Sequence, residues 1–95
     1  MPAYVIAEID VQNPVDYEEY KKLARTAIEK HGGRYRVGGG KAEAIEGSAP
    51  ANRLVVLEFP STEAAKRWYY SPEYQEAVKI RHRASKARVL LVEGV

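Results

Sequence analysis

The chain contains no cysteine among its 95 residues. This absence excludes disulfide scaffolds, thiolate zinc sites and cysteine nucleophiles. Long apolar runs are absent too: the segments 54–57 and 89–92 are four residues long, whereas a membrane-spanning helix needs about 20. The first residues show no basic stretch followed by an apolar one, which is the pattern of a secretory signal. We therefore predict a cytoplasmic protein with no membrane partner.

An excess of charge of one sign is also missing, since 15 basic and 13 acidic residues give a net charge of +2. Such a small net charge attracts nucleic acid weakly. The distribution is uneven: residues 1–20 hold five acids and no base, and residues 79–88 hold five bases and no acid. The basic run is typical of a solvated helix end beside an acidic neighbour, with a phosphate-binding patch as the alternative. We predict no nucleic-acid partner.

The length and the 45% share of hydrophobic residues suit one globular domain over residues 1–95. Apolar and polar residues alternate from Ala3 to Val11, which predicts a strand. Asn13-Pro14 has the residue types of a helix start, and apolar residues then recur every three or four positions as far as His31. Gly32-Gly33 ends this helix, because glycine readily adopts the left-handed conformation of a C-cap.

A second strand is predicted from Arg34 to Val37, interrupted by the glycines at 38–40 and resuming from Glu43 to Glu46. A loop through Gly47 and Pro50 is predicted to follow it. Segment 53–59 predicts a strand covered on both faces, because its apolar residues are consecutive. The serines at 61 and 71 predict the starts of two helices, and residues 87–95 predict the last strand. The order β-α-β-β-α-(α)-β is that of a ferredoxin-like α+β fold with one four-stranded antiparallel sheet.

Helices on one side of such a sheet leave its other side uncovered. Tyr4 and Ile6 lie on that second side of the first strand, and segment 54–57 is apolar on both sides. A second subunit usually covers an exposed apolar sheet face, so we predict a homodimer with the sheets face to face, a dimeric α/β barrel. Glu8 and Glu58 are predicted to lie on the same second side, because the side chains of a strand alternate between its two faces. They lie either near the strand ends in water or close together as a carboxylate pair with a raised pKa.

Four aromatic residues crowd into the segment 68–74. Trp68 and Tyr74 belong to two helices that meet at Ser71-Pro72, and both can face the sheet. Arg88, near the start of the last strand, would add a cation, and Tyr20 on the first helix completes the set of ligand-binding candidates. A mostly aromatic site with few polar groups is typical of small-ligand pockets. The alternative is core packing, with the N–H and O–H groups bonded to the backbone.

The candidates for catalysis are His31, Tyr74 and Arg88. His31 has a reference pKa of about 6.5, which suits proton transfer, and its alternative role is a cap at the end of the first helix. Tyr74 can carry a proton, and Arg88 can stabilise developing negative charge. We predict no metal and no cofactor, because the two histidines lack spaced acidic partners and the glycines at 38–40 lack the lysine and helix of a phosphate loop.

Several short motifs occur in a fixed order along the chain. They are Tyr17-Glu18-Glu19-Tyr20, Gly32-Gly33-Arg34-Tyr35, Glu46-Gly47, the strand 54–60, and Trp68-Tyr69-Tyr70-Ser71-Pro72-Glu73-Tyr74. Together they resemble a small bacterial family called domain of unknown function 1330, over nearly all of the chain. The resemblance implies a ferredoxin-like dimeric α/β barrel, and it implies no established activity.

A more distant resemblance is to the cofactor-independent monooxygenases of antibiotic biosynthesis, which share that barrel. In that family a tryptophan, a tyrosine and an arginine can line the pocket, and Trp68, Tyr74 and Arg88 fall at comparable places. One departure is Ala64, which stands where those enzymes have an asparagine that helps to hold the substrate.

The leading hypothesis is therefore a small cytoplasmic homodimer that binds a small aromatic or acidic metabolite between its sheet and its helices. One alternative is a cofactor-independent monooxygenase or isomerase. The other is an interaction protein without enzymatic activity.

Overall fold

The computed structural model of the protein describes residues 1–48 and 52–95. Its elements, in chain order, are β1 (Ala3–Val11), α1 (Pro14–Lys30), β2 (Arg34–Gly38), β3 (Arg53–Phe59), α2 (Thr62–Tyr69), α3 (Pro72–Ala84) and β4 (Ser85–Glu93). This order confirms the arrangement predicted from the sequence, with α2 and α3 as separate helices.

The four strands form one antiparallel sheet in the order β2-β3-β1-β4. The fold is therefore the predicted ferredoxin-like α+β fold. β1 lies in the interior of the sheet, and alternate residues point to opposite faces because the side-chain period of a strand is two. Val5, Ala7 and Ile9 are buried in the core beneath the helices, while the residues between them lie on the opposite face.

Polar side chains begin each helix as the sequence predicts. The side chains of Asn13, Ser61 and Ser71 each accept a hydrogen bond from the backbone N–H three residues further on, at 3.1–3.2 Å. α1 ends where Gly32 takes a φ of 80°. The next glycine, Gly33, packs so tightly that a Cβ there would lie 2.6 Å from the ring of Phe59. The chain therefore reverses from α1 into β2 directly against the end of β3.

The predicted pairing from Glu43 to Glu46 is wrong. β2 ends at Gly38, and Gly39 adopts a φ of 84° while its N–H donates to the Leu54 carbonyl at 2.9 Å. This turn takes the chain off the sheet, and residues 41–48 are exposed and form no strand. The rest of this predicted loop, through Pro50, lies partly outside the described residues.

The last strand begins at Ser85, two residues earlier than predicted, so that α3 passes into β4 without a loop. The Ser85 hydroxyl donates to the Arg81 carbonyl at 2.8 Å. The backbone N–H groups of residues 12 and 13 donate to the Ala84 carbonyl at 2.8 and 2.9 Å. These bonds tie the end of α3 to the end of β1 and so fix the last turn of α3, including Arg81, over the sheet.

The face of the sheet opposite the helices has an apolar centre. By strand register its apolar members include Tyr4, Ile6, Leu54, Val56, Leu90 and Val92. Two ion pairs flank them: Arg88 Nε lies 3.0 Å from Glu8 Oε2, and Arg36 Nε lies 2.7 Å from Glu58 Oε1. Glu8 and Glu58 thus form no carboxylate pair, because the register places them four positions apart and each has its own arginine.

None of the helices formed by residues 1–48 and 52–95 has the length and apolar character needed to cross a membrane. Over the same two ranges, His, Asp and Glu side chains form no group of three placed to hold a metal ion.

Candidate functional site

Trp68 and Tyr74 lie together beneath the corner where α2 meets α3. Ser71 holds this corner, since its hydroxyl donates to the Trp68 carbonyl at 2.7 Å and accepts from the Tyr74 N–H at 3.2 Å. The two aromatic side chains are almost fully buried, at 2% and 3% exposure. Their ring centroids are 4.2 Å apart. The structure therefore brings these two predicted site residues into direct contact.

Tyr20 reaches the same cluster from α1. Its hydroxyl lies 2.7 Å from the hydroxyl of Tyr74, and both groups are buried. The ring of Tyr17, one turn earlier on α1, lies 5.2 Å from that of Tyr20. The aromatic cluster, meaning Tyr17, Tyr20, Trp68 and Tyr74, thus joins three helices around a pair of hydroxyl groups.

Arg81 supplies the cation of this cluster, and sequence reasoning missed it as a site residue. It lies on α3 two turns after Tyr74, and it is 4% exposed. Its guanidinium carbon is 6.0 Å from the ring centroid of Tyr20. Its Nε is buried without a hydrogen-bond partner, and no carboxylate within residues 1–48 and 52–95 forms an ion pair with it.

The two bonded tyrosines differ in acidity. Burial raises the pKa of Tyr20 well above 10, and the neighbouring Tyr74 hydroxyl raises it further. Burial also raises the pKa of Tyr74, but the charge of Arg81 and the hydrogen bond with Tyr20 oppose this rise. Tyr74 is therefore the member of the pair that gives up a proton more readily, and either hydroxyl can donate in the bond between them.

A small cavity lies at the centre of the cluster, between the helices and the sheet. Its volume is about 30 Å³, which is room for little more than a water molecule. The polar end is lined by Tyr20, Tyr74 and Arg81, and the apolar wall includes Trp68 and Val89. A ligand of ordinary size therefore needs additional space to bind here.

A larger groove lies beside this cavity, between α2 and the edge strand β4. Its volume is about 320 Å³, which falls in the range of small-molecule sites. Val5, Trp68 and Val89 line both the groove and the cavity. Trp68 is the largest of the three residues that the two spaces share. Its Nε1 is buried and has no hydrogen-bond partner among the described residues.

Arg88 does not belong to this cluster, and its predicted contact with Trp68 and Tyr74 is wrong. Arg88 pairs with Glu8 across the strands, and Glu8 lies on the face of the sheet away from the helices. The adjacent residues of β4 point the other way, with Val89 against the core. The side-chain period of the strand therefore turns Arg88 into the open face, where it is exposed.

His31 also lies apart from the aromatic cluster, at the C-cap of α1. Its backbone N–H bonds to carbonyls in the last turn of the helix, and its Nε2 is 3.8 Å from Glu73 Oε2. The hydrogen bond from Lys30 lowers the pKa of the Glu73 carboxyl to about 2. This arrangement matches the predicted helix cap and places no catalytic partner beside His31.

The basic run 79–88 does not form one surface. Lys79 pairs with Glu76 along α3 at 3.2 Å, Arg81 is buried, and Arg88 pairs with Glu8 on the far face of the sheet. These three cations therefore point in different directions.

The fold and the cluster define a ferredoxin-like α+β protein with an aromatic cluster between its sheet and its helices. The chain belongs to the family described as domain of unknown function (DUF1330), whose model matches residues 2–95. Among curated proteins, none has a matching sequence.

Solved structures of low sequence identity share the fold. RPA0582, a protein of unknown function from Rhodopseudomonas palustris, is 20% identical with a TM-score of 0.76, over 99% of this chain and 82% of that one. A dimeric ferredoxin-like protein of unknown function from Jannaschia sp. CCS1 is 11% identical with a TM-score of 0.70, over 99% and 100%. SnoaB, a cofactor-independent oxygenase from Streptomyces nogalater, is 9% identical with a TM-score of 0.68, over 99% and 93%.

Proposed function

We propose that this protein binds a small aromatic metabolite in the space formed by the groove between α2 and β4 and the aromatic cluster behind it. The observation that carries the proposal is the position of Trp68, which lines both spaces. A benzene-sized ring does not fit the cavity of about 30 Å³. It fits the combined space once the indole moves, and the rings of Trp68 and Tyr74 offer it stacking surfaces.

The test uses the single tryptophan of the chain as its reporter. Purified protein is titrated with phenols, quinones and aromatic acids while tryptophan fluorescence and the melting temperature are measured. A ligand that binds only the folded state stabilises it by about 2.7 kcal/mol at a hundredfold excess over Kd. We expect a saturable change in fluorescence together with a higher melting temperature for at least one aromatic class.

Variants decide where the ligand binds. Trp68→Leu lacks the fluorescent reporter, so its binding is followed by the shift in melting temperature. It is expected to weaken binding by a few-fold to about tenfold, because it removes a stacking surface worth about 0.5–1.5 kcal/mol. Phe59→Leu is the matched control: Phe59 is buried and its ring lies 5.2 Å from that of Trp68, but it lines neither space. Equal losses in the two variants would contradict the site. Binding of no aromatic class at all would favour an interaction role without a small ligand.

The same proposal includes a homodimer formed through the open face of the sheet. The molecule is a plate with extents of 32 × 31 × 16 Å, and a face of that size accommodates the roughly 800 Å² per partner of a standard interface. Leu90 and Val92 are about two-fifths exposed on this face. The similar fold of a protein described as dimeric supports this assignment. The ligand site lies on the other face, so each subunit carries its own.

A cofactor-independent oxygenase or isomerase is a second candidate, favoured by the contact of Tyr20, Tyr74 and Arg81. Tyr74 would exchange a proton with the ligand, and Arg81 would stabilise the resulting anion, the role that the sequence suggested for Arg88. The measurement is product analysis by mass spectrometry with oxygen uptake, which an oxygenase requires and an isomerase does not. Tyr74→Phe is expected to stop turnover, while binding weakens only by the loss of one hydrogen bond, about 1 kcal/mol. If the ligand is recovered unchanged, the protein binds it without turnover, and the enzymatic candidate is contradicted.

A further inference from the structure

Arg81 is a buried cation that has no acidic partner in the part of the chain that the structure describes. Its side chain is 4% exposed and lines the cavity, and its Nε lacks a hydrogen-bond partner among the described residues. Arginine is rarely buried to this extent unless it is paired, because removing a charge from water is costly. Its nearest polar neighbours are hydroxyl groups, which compensate a full positive charge only in part. The site is thus electrostatically incomplete in the protein alone.

We infer that Arg81 is the anion-binding residue of this site, so that the ligand is a planar aromatic compound carrying an anionic oxygen, either a carboxylate or a phenolate. This inference rests on the proposed function and adds the chemical class of the ligand. The anionic oxygen would lie at the Arg81 end of the cavity, and the aromatic ring would lie toward Trp68 and Val89.

The charges around the cavity agree with this orientation. Lys21 also lines the cavity, and Arg53 lies over the ring of Tyr17 at 5.4 Å. Glu18, an acid on the same helix, is exposed and pairs with Lys21 at 2.8 Å. Among residues 1–48 and 52–95, no aspartate or glutamate lines the cavity itself. An anion at this end would therefore meet the Arg81 guanidinium and the hydroxyl groups of Tyr20 and Tyr74, with no carboxylate of the described residues in the lining.

The chemistry of arginine further restricts the chemical class of the ligand. A guanidinium presents several N–H donors in one plane and binds carboxylates through two parallel bonds. In Arg81 the free Nε is one such donor. Tyr74 is placed to donate to the same anionic oxygen, because Tyr20 can supply the proton for the bond between the two tyrosines.

The experiment compares an anion with its neutral analogue. Benzoate and benzamide have the same shape and differ in charge, and 4-nitrophenol, titrated above and below its own pKa, provides the phenolate arm. Binding to the wild-type dimer or monomer, as it exists in solution, is measured by tryptophan fluorescence and calorimetry. We expect an anionic probe to bind about tenfold to a hundredfold more tightly than its neutral form. Preference for benzoate alone assigns a carboxylate ligand, and preference for nitrophenolate alone assigns a phenolate.

Two variants at Arg81 test the residue itself. Arg81→Met keeps the apolar stem without the charge and is expected to abolish the preference for the anion, while benzamide binding changes by less than about threefold. Arg81→Lys keeps the charge without the planar fork and is expected to retain part of the preference. Arg88→Met is the matched control, since Arg88 lies on the other face of the sheet, and it should bind as the wild type does.

Stability gives an independent readout. Burying an unpaired charge costs desolvation free energy that an apolar side chain does not, so Arg81→Met is expected to melt at or above the wild-type temperature. If Arg81 has only a structural role, Arg81→Met is expected to melt below the wild-type temperature. A markedly lower melting temperature in Arg81→Met, with an unchanged preference for the anion in Arg81→Lys and Arg81→Met, overturns the inference.

The outcomes separate the inference from the proposed function. If benzoate and benzamide bind equally, and Trp68→Leu weakens both, the aromatic site stands and the role of Arg81 is overturned. If none of benzoate, benzamide and 4-nitrophenol binds, the proposed function and the role of Arg81 are both overturned. If Arg88→Met rather than Arg81→Met removes the preference for the anion, the ligand site lies on the open face of the sheet and both assignments are wrong.

Discussion

The hydrogen bond between Tyr20 and Tyr74 joins two residues that are 54 positions apart in the chain. It links the middle of α1 to the first turn of α3. A buried hydroxyl that loses its partner leaves a polar group unsatisfied, so this single contact contributes to the docking of the two helices.

Tyr20→Phe and Tyr74→Phe are each expected to lower the free energy of unfolding by about 1 kcal/mol. The double variant should lose less than the sum of the two, by about 0.5 kcal/mol or more, because either single change already breaks the bond. Urea unfolding of all four proteins measures this coupling. Tyr69→Phe is the control, since the Tyr69 ring lies 5.5 Å from that of Tyr74 and its hydroxyl makes no hydrogen bond within the described residues. Strict additivity would mean that the bond contributes nothing.

Two arginines show what residue types alone can and cannot predict. The residues from Val89 to Val92 are apolar at every position, so the pattern does not reveal which face of β4 meets the core, and Arg88 was placed on the wrong one. Arg81 occupies the apolar stripe of α3 with Tyr74, Ala77 and Val78, and that spacing does indicate a buried position. Its charge suggested a solvated helix end instead.

At the scale of elements, the end of α1 and the start of α3 are joined by charge. Lys30 donates a hydrogen bond to Glu73, and His31 Nε2 lies within 3.8 Å of the same carboxylate. Glu73 also lies in the first turn of α3, where a negative charge is favoured. The hydrogen bond from Lys30 is the largest reason that the pKa of Glu73 falls from 4.5 to about 2.

A carboxyl whose pKa is lower in the folded state stabilises the protein only while it is ionised. For Glu73 this contribution is complete above pH 4.5 and is lost as the pH falls from 4.5 to about 2. Glu73→Gln should therefore unfold with a shallower dependence on pH in this window than the wild type. Melting temperatures across the window, at low and high salt, measure the effect, and salt should reduce it because the carboxylate is accessible to solvent.

Glu76→Gln is the matched control for this prediction, because Glu76 pairs with Lys79 within α3 and makes no bridge to α1. The melting temperature of this variant should fall between pH 4.5 and about 2 as steeply as that of the wild type. If the two variants respond alike between pH 4.5 and 2, the contact between α1 and α3 does not carry the effect.

The elements themselves could be predicted because local chemistry specifies them. Asn13, Ser61 and Ser71 each begin a helix, as their side-chain oxygens favour, and the alternation in β1 matches its buried and half-buried positions. The segment after Gly38 was mispredicted for a nonlocal reason. Whether residues 43–46 pair with β3 depends on the path that the glycine turn sets, and the residue types do not specify that path.

At the scale of the whole molecule, one layer of helices covers one side of the sheet. The molecule is only 16 Å across in its shortest direction, which is consistent with a single helix layer. In a single chain, the apolar centre of the other side of the sheet is therefore in contact with solvent. The strand register shows which residues share that side, and it agrees with the parity predicted for β1. The sequence could not show how a second copy is placed on it, since that depends on the twist and shape of the finished sheet.

Val56→Lys and Val92→Lys are each expected to convert the proposed dimer to a monomer, because they place a charge in the apolar centre of the open face. Sedimentation velocity measures the mass directly. Val15→Lys is the control, since Val15 is an apolar residue of α1 that is 80% exposed, and it should sediment as the wild type does. A wild-type protein that sediments as a monomer at micromolar concentrations would contradict the proposal.

Strand β1 contributes to both faces at once. Val5, Ala7 and Ile9 line the cavity, while Tyr4 and Ile6 lie between them on the open face. Substitutions in one set leave the other set in place, so the lining of the cavity can change without altering the open face. An insertion or deletion of a single residue would exchange the two sets. A change in the length of this strand would therefore disturb the cavity and the open face together, whereas a substitution disturbs one of them.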